Sequence, residues 1–293
     1  MEQPSGFSDT SGRVCRLKKS LYGLRQAADV WHGKVLELIV KLGYQKSRSD
    51  PCLFLRKDDN RSHPVWIWLY VDDMLMFSAA GRDTIMNELS AVYKMKDLGE
   101  AKFALGVRLL KNDSGELHLS QEALARELLK KYLPDKANAA STPLPTSVEC
   151  SEDTLLDDVE RSMYRSITGI IVYLSVVTRP DLCVAHSVLG SQLSKPKRSD
   201  MVRAVHYMCY IKGKPDHGIV YTRGKEKDLG VLADLLEVYS DADYANAVNP
   251  KRRSRSGVQI NLAGCAIDWK GVLQKTTALS TTEAELYALV EAV

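Results

Sequence analysis

An α+β fold of antiparallel hairpins and helices is predicted for this 293-residue chain by three observations. Apolar residues at spacings of one, three and four run from Ala27 to Leu42. An apolar run from Val65 to Phe77 is broken only by two adjacent aspartates. Helix-period segments between Tyr164 and Ile211 give way after Gly213 to short strands.

The first stripe (Val30, Trp31, Val35, Leu38, Ile39, Leu42) predicts a helix over Ala27–Leu42 that stops at Gly43. Asp50-Pro51 turns the chain into a short strand, Cys52–Leu55, and a charged loop, Arg56–His63, leads to a hairpin of Val65–Val71 and Met74–Ser78. A helix is expected over Thr84–Tyr93 and a break at Lys96-Asp97-Leu98-Gly99. Phe103–Leu110 and Leu117–Leu119 read as a hairpin around Asn112-Asp113-Ser114-Gly115, followed by a helix over Gln121–Tyr132. Residues 138–160 change character, with prolines and then six acids between Glu149 and Glu160 and no base, and read as a linker or surface loop. Helices are expected over Tyr164–Val177, Asp181–Leu193 and Ser199–Ile211. Strands follow over Gly218–Thr222, Val238–Ser240, Gly257–Leu262 and Ala266–Trp269, and a last helix starts near Thr282.

Composition places the chain among soluble globular proteins, at 45% hydrophobic and 26% charged, with length for two or three domains. Its six cysteines form no C-x-x-C pair, which argues against a zinc site and fits a reducing, intracellular compartment. Neither a membrane span nor a signal peptide is expected. The net charge of +3 is small, but bases cluster. Residues 13–25 hold Arg13, Arg16, Lys18, Lys19 and Arg25 without an acid, residues 195–227 hold nine bases against three acids, and Lys251, Arg252, Arg253 and Arg255 form a third group. Three such patches suit a phosphate backbone; a solvated surface has the same appearance.

The adjacent carboxylates of Asp72 and Asp73 carry the most chemistry. Two ionised carboxylates about 4 Å apart repel by roughly 4 kcal/mol at an effective dielectric of about 20, and both lose hydration when apolar strands pack around them. A divalent ion such as Mg²⁺, which prefers carboxylate and phosphate oxygens, offsets that cost. Solvated aspartates at an exposed hairpin tip fit the same residues. Neighbouring side chains on a strand face opposite sides, so one of the two points fully into any site.

Seven motifs then occur in an order that identifies a family. They are Leu21-Tyr22-Gly23-Leu24-Arg25-Gln26, Asp50-Pro51-Cys52-Leu53-Phe54, Tyr70-Val71-Asp72-Asp73-Met74, Met95-Lys96-Asp97-Leu98-Gly99-Glu100, Leu119-Ser120-Gln121, Thr178-Arg179-Pro180-Asp181 and Tyr239-Ser240-Asp241-Ala242-Asp243. In this order and spacing the chain resembles copia-type retrotransposon Pol proteins over nearly its whole length. The resemblance implies a reverse transcriptase palm and thumb-like segment over residues 1–135, a linker and helical connection over 136–235, and the first half of a ribonuclease H-like α/β domain over 236–293.

The resemblance also implies roles. Asp72 is similar to the principal metal ligand and Asp73 to the secondary one, with Mg²⁺ or Mn²⁺ as cofactor. Tyr22, Gly23, Arg25 and Gln26 resemble the segment along the template and nascent base pair, Tyr70 a residue near the primer terminus, and Leu105-Gly106 the primer-gripping turn. Asp241 and Glu285 resemble ribonuclease H metal ligands, with Asp243 and Glu283 near misses in spacing. The implied partners are primed RNA or DNA template, RNA–DNA hybrid and deoxynucleoside triphosphates, without a membrane. The implied location is cytoplasmic, in a virus-like particle, or nuclear.

The match departs at four places, one of them the absence of a hydroxyl usual near Arg255. Ala28-Asp29 stands where the family has Pro-Arg. The family's further palm aspartate lies upstream of the segment that Glu2–Phe7 resembles, and its further ribonuclease H aspartate lies beyond the first helix, both outside this sequence. Two incomplete sites are therefore expected, and polymerisation by this chain alone is expected to be poor or absent, by on the order of 10³-fold or more. A non-catalytic nucleic-acid-binding remnant or domesticated protein is the alternative. A metal hydrolase unrelated to polymerases is a third reading, and it leaves the other ordered motifs unexplained.

Overall fold

The structure is a computed structural model that describes all residues except 1, 5, 8, 10, 22, 25, 57–63, 72, 79–81, 146, 149, 223–234 and 246–251. It divides into two compact units, Met1–Ala101 and Lys102–Val293.

In the first unit, helix α1 (Ala27–Lys41) ends where Gly43 takes φ 85°. The Gly43 amide donates to the Val40 carbonyl and the Tyr44 amide to that of Ile39, which satisfies the last turn and swings the Tyr44 ring inward. Strands β1 (Gln45–Lys46), β2 (Leu53–Arg56), β3 (Val65–Tyr70) and β4 (Asp73–Phe77) form an antiparallel meander in that order. Helix α2 (Arg82–Ser90) follows. The strand period puts Val65, Ile67 and Leu69 on one face, where they meet Val35 and Ile39 of α1 and Ile85 and Leu89 of α2 around Phe54. Arg56 ties three elements together: its guanidinium donates to the Leu42 carbonyl (3.0 Å) and to Glu88 (2.9 Å), and lies 4.7 Å from the centre of the Tyr44 ring.

The second unit holds two sheets and a helical core. Strands β5 (Phe103–Ala104), β6 (Val107–Lys111), β7 (Leu117–Ser120) and β8 (Gly218–Tyr221) make one antiparallel sheet in that order, although β8 is almost 100 residues from β7. Between them run α3 (Glu122–Tyr132), α4 (Asp158–Val177), α5 (Cys183–Leu189, with a 3-10 turn at each end) and α6 (Arg198–Gly213). Leu128, Tyr164, Ile167, Ile171, Leu189, Tyr207 and Met208 form the core of these helices. Strands β9 (Leu236–Asp243), β10 (Arg255–Leu262) and β11 (Cys265–Leu273) form the second sheet in the order β11-β10-β9, and α7 (Thr281–Ala292) packs on β9 and β10. Gly271 lets β11 approach α5, since a Cβ there would sit 3.0 Å from the backbone of Cys183.

The elements largely follow the sequence reading, but Phe103–Leu110, expected as one strand, is divided by the Leu105-Gly106 turn into β5 and β6, and the acidic stretch also departs. There α4 begins at Asp158, six residues before the expected start, while residues 151–155 are exposed loop. Asp157 and Glu160 form a capping box, the Asp157 carboxylate accepting from the Glu160 amide and the Glu160 carboxylate from that of Asp157. Asp153 accepts from the Ser199 amide (3.0 Å) and pairs with Lys197 (3.3 Å), and Glu160 pairs with Arg198 (3.1 Å). Two of the acids are thus counter-charges at the start of α6, and Leu156 is buried in the helical core. The boundary at Ala101 reflects packing. The division into 1–135, 136–235 and 236–293 is one of family role and is proposed below.

Candidate nucleic-acid and metal-binding site

The acidic hairpin is built by register. Trp66 to Tyr70 pair with Phe77 to Asp73, so the strands turn back over two residues. Asp72 lies outside the described residues. Asp73, the first residue of β4, is exposed. Val71 has φ 54°, a left-handed conformation that a β-branched residue resists by about 1–3 kcal/mol. The Trp31 indole N–H, from α1, donates to the Val71 carbonyl at 2.9 Å. The Trp31 ring meets Tyr93 edge-on with centres 5.0 Å apart. Tyr70 stacks on Trp68 at 5.9 Å and keeps 46% of its surface exposed.

Tyr22 and Arg25 also lie outside the described residues. Gly23 is exposed with φ 88°, and a Cβ there would meet nothing within 4 Å, so glycine is needed for backbone conformation. Gln26 is the N-cap of α1, its carbonyl accepting from the Val30 amide at 3.1 Å. Helix α1 thus carries Gly23 and Gln26 at its start and, through Trp31, touches the acidic turn.

Leu105 and Gly106 form a second two-residue turn, closed by Ala104 and Val107, with φ 48° and 78°. This is the left-handed pair that matches strand twist in a hairpin. The Tyr173 hydroxyl, from α4, donates to the Leu105 carbonyl at 3.3 Å. Trp31 reads in the sequence only as part of an apolar helix face, and Tyr173 as a residue of a helical stretch. A side chain that donates to a distant carbonyl leaves no periodic signal.

At the other end of the second unit, Asp241 is exposed on β9 opposite Gly257, and Glu285 is exposed on α7. The near misses have structural partners. Glu283 accepts from the Leu279 amide (2.6 Å) and the Tyr287 hydroxyl (3.0 Å), completing the N-terminus of α7 begun by Ser280. Asp243 pairs in register with Arg255. Burial pushes the Arg255 guanidinium below its usual range, partly offset by the Asp243 charge, and Arg255 donates to the Ser187 hydroxyl at 2.6 Å.

Two of the seven motifs meet in a buried polar knot. The Thr178 hydroxyl donates to the Gln121 side-chain oxygen at 3.0 Å. Arg179, 2% exposed, donates in fork fashion to Asp181 at 2.9 and 2.8 Å and to the Lys214 carbonyl at 3.2 Å. These residues hold α3, α4 and the end of α6 together.

The basic clusters differ in availability. Arg13, Arg16, Lys18 and Lys19 are exposed. Arg13 pairs with Asp9, whose carboxyl is lowered to about 2 by the Ser11 hydroxyl, the Gln3 amide and the Ser11 backbone. In the second cluster Lys197, Arg198 and Arg203 pair with Asp153, Glu160 and Asp200, and Lys212 donates to the carbonyls of Asp135 and Ala137. In the third, Arg255 is 5% exposed and adds nothing to a phosphate-binding surface.

Among the described residues no three histidine, cysteine or carboxylate side chains cluster as a metal site. The donor chemistry of the turn, hard carboxylate oxygen on an exposed strand end, suits Mg²⁺ or Mn²⁺, and Asp73 is the part of that set which the structure describes.

Residues 1–146 match the reverse transcriptase (RNA-dependent DNA polymerase) family. Over 99% of its length the chain is 34% identical to the retrovirus-related Pol polyprotein from transposon TNT 1-94 of Nicotiana tabacum, covering 22% of that protein. It is 31% identical over 97% of its length to the retrovirus-related Pol polyprotein from transposon RE2 of Arabidopsis thaliana, covering 19% of it. It is 26% identical over its full length to the putative transposon Ty5-1 protein YCL074W of Saccharomyces cerevisiae, covering 94% of that protein. The chain therefore spans about a fifth of the plant Pol polyproteins that it matches. No solved structure matches it.

Proposed function

We propose that this chain, which belongs to the reverse transcriptase family of copia-type transposon Pol polyproteins, is the part of an RNA-directed DNA polymerase that carries its acidic metal-binding turn, followed by a ribonuclease H region. The carrying observation is the two-residue turn at Val71, left-handed and ahead of Asp73, whose Val71 carbonyl accepts a hydrogen bond from Trp31 of α1. In this reading residues 1–135 are palm and thumb-like, 136–235 the helical connection, and 236–293 the start of a ribonuclease H-like domain. Its substrates are a primed template and deoxynucleoside triphosphates.

When bound at Asp72 and Asp73, a divalent ion supplies charge neutralisation at the nucleotide's phosphates and activates the primer 3′ hydroxyl. The chain's own groups position the rest. Gly23 and Gln26 at the start of α1 lie along the nascent base pair, with Tyr22 and Arg25 beside them in sequence. Tyr70 stands at the primer terminus, Leu105-Gly106 grips the primer, and exposed Arg13, Arg16, Lys18 and Lys19 meet phosphate. Asp241 and Glu285 face the hybrid in the ribonuclease H region, a role supported by the hydrogen bonds that occupy Glu283.

In this reading the turn supplies two of the carboxylates, a partial set of ligands. Primer extension on a primed RNA template with Mg²⁺ or Mn²⁺ tests the proposal. Incorporation is expected to fall on the order of 10³-fold below that of a polymerase with a full carboxylate set. Whatever incorporation occurs is expected to vanish in Asp72→Asn. Incorporation that survives Asp72→Asn overturns the assignment of the turn, and rapid Asp72-dependent extension overturns the partial-set argument.

A further inference from the structure

The two turns assigned above to metal and primer share a construction that nothing in the family motifs specifies. Each is a two-residue hairpin connection, closed by Tyr70 and Asp73 in one and by Ala104 and Val107 in the other. Each begins with a non-glycine residue in the left-handed region, Val71 at φ 54° and Leu105 at φ 48°. In each, the carbonyl of that residue accepts a hydrogen bond from an aromatic side chain on a helix far away in sequence. Trp31 reaches Val71 across 40 residues at 2.9 Å, and Tyr173 reaches Leu105 across 68 residues at 3.3 Å. Hairpin turns of this type ordinarily draw on Asn, Asp or Gly, which enter the left-handed region at little cost. Valine, branched at Cβ, has the greatest difficulty there. A donor fixed on a helix selects the one peptide orientation in which the carbonyl meets it, and so holds the turn where its own sequence does not.

We propose that Trp31 and Tyr173 are positioning residues, aromatic pins that hold the acidic turn and the Leu105-Gly106 turn in their left-handed geometry. The conformational claim stands on the two contacts; its meaning for catalysis rests on the polymerase reading. Trp31 acts through the Val71 peptide, adjoining the acidic pair, and Tyr173 acts through the Leu105 peptide.

Amide hydrogen exchange on the whole chain tests this without calling on activity. In the native protein the Trp31 indole proton is expected to exchange at least tenfold more slowly than that of free tryptophan; equal rates overturn the pin. Trp31→Phe keeps a ring against Tyr93 and removes the N–H. It is expected to accelerate exchange of the Asp73 amide at least fivefold, and less than twofold when combined with Val71→Gly, because glycine needs no pin. Tyr173→Phe is expected to do the same at Val107, with Leu105→Gly as its compensating change. No acceleration at either turn, or equal acceleration in the glycine backgrounds, overturns the proposal. Incorporation that survives Asp72→Asn with the exchange pattern intact would sink the polymerase reading while leaving the pins in place.

Discussion

At the scale of single residues, the heaviest demand in the molecule comes from Arg179, a cation with 2% of its surface exposed. Removing one partner of a buried pair costs about 3–5 kcal/mol, because the other charge is left uncompensated. Asp181 is that partner. Burial pushes its carboxyl up, but the hydrogen bonds and charge of Arg179 outweigh burial and hold it below the usual carboxylate range. A carboxyl whose folded pKa lies below its unfolded value of about 3.9 contributes stability above that value. The contribution fades as pH falls through the folded pKa. Asp181→Asn is therefore expected to lower unfolding stability by about 3 kcal/mol at neutral pH. In urea unfolding the gap between native and variant should close as pH drops below about 4. A gap independent of pH would show that Asp181 does not act through its charge. The sequence marked Thr178-Arg179-Pro180-Asp181 and Leu119-Ser120-Gln121 only as family signatures. That Thr178 and Gln121 meet, 57 residues apart, is a tertiary fact with no local signal.

At the scale of elements, periodicity was a good guide because most helices and strands here bury one face. Helix α1 was expected over Ala27–Leu42 and is found over Ala27–Lys41, and the acidic hairpin falls within one residue of its expected strands. The failure at α4 has a definite cause. Acids at a helix start satisfy free amides and favour the dipole, yet in composition they look like a solvated linker. Asp157→Ala is expected to cost about 1 kcal/mol in urea unfolding through loss of the N-cap. An uncapped linker residue would cost nothing measurable. The basic clusters were misleading for a related reason: charge counts do not show which cations are already paired. Lys197, Arg198 and Arg203 face acids within the same unit, as Arg13 faces Asp9, whereas Arg16, Lys18 and Lys19 are exposed.

At the scale of the whole molecule, the ordered motifs fall in both compact units. The tyrosine-glycine segment and acidic turn lie in the first, and the Leu105-Gly106 turn, the polar knot, Asp241 and Glu285 in the second. Some of them build the fold, as the knot does, and others are left exposed, as Asp73, Asp241 and Glu285 are. The family was legible in the sequence because both kinds recur in order. The aromatic pins were not, because they depend on which carbonyl a side chain reaches. The assignment of the acidic turn as the polymerase metal site is open to a direct measurement: Fe²⁺ replacing Mg²⁺ in the presence of primed template and nucleotide, with hydrogen peroxide and ascorbate added so that hydroxyl radicals formed at the bound ion cut the nearby chain. Cuts centred on residues 70–74, lost in Asp72→Asn/Asp73→Asn, are the expected result. Cuts centred elsewhere, or cuts at the turn that persist in that double variant, would contradict it.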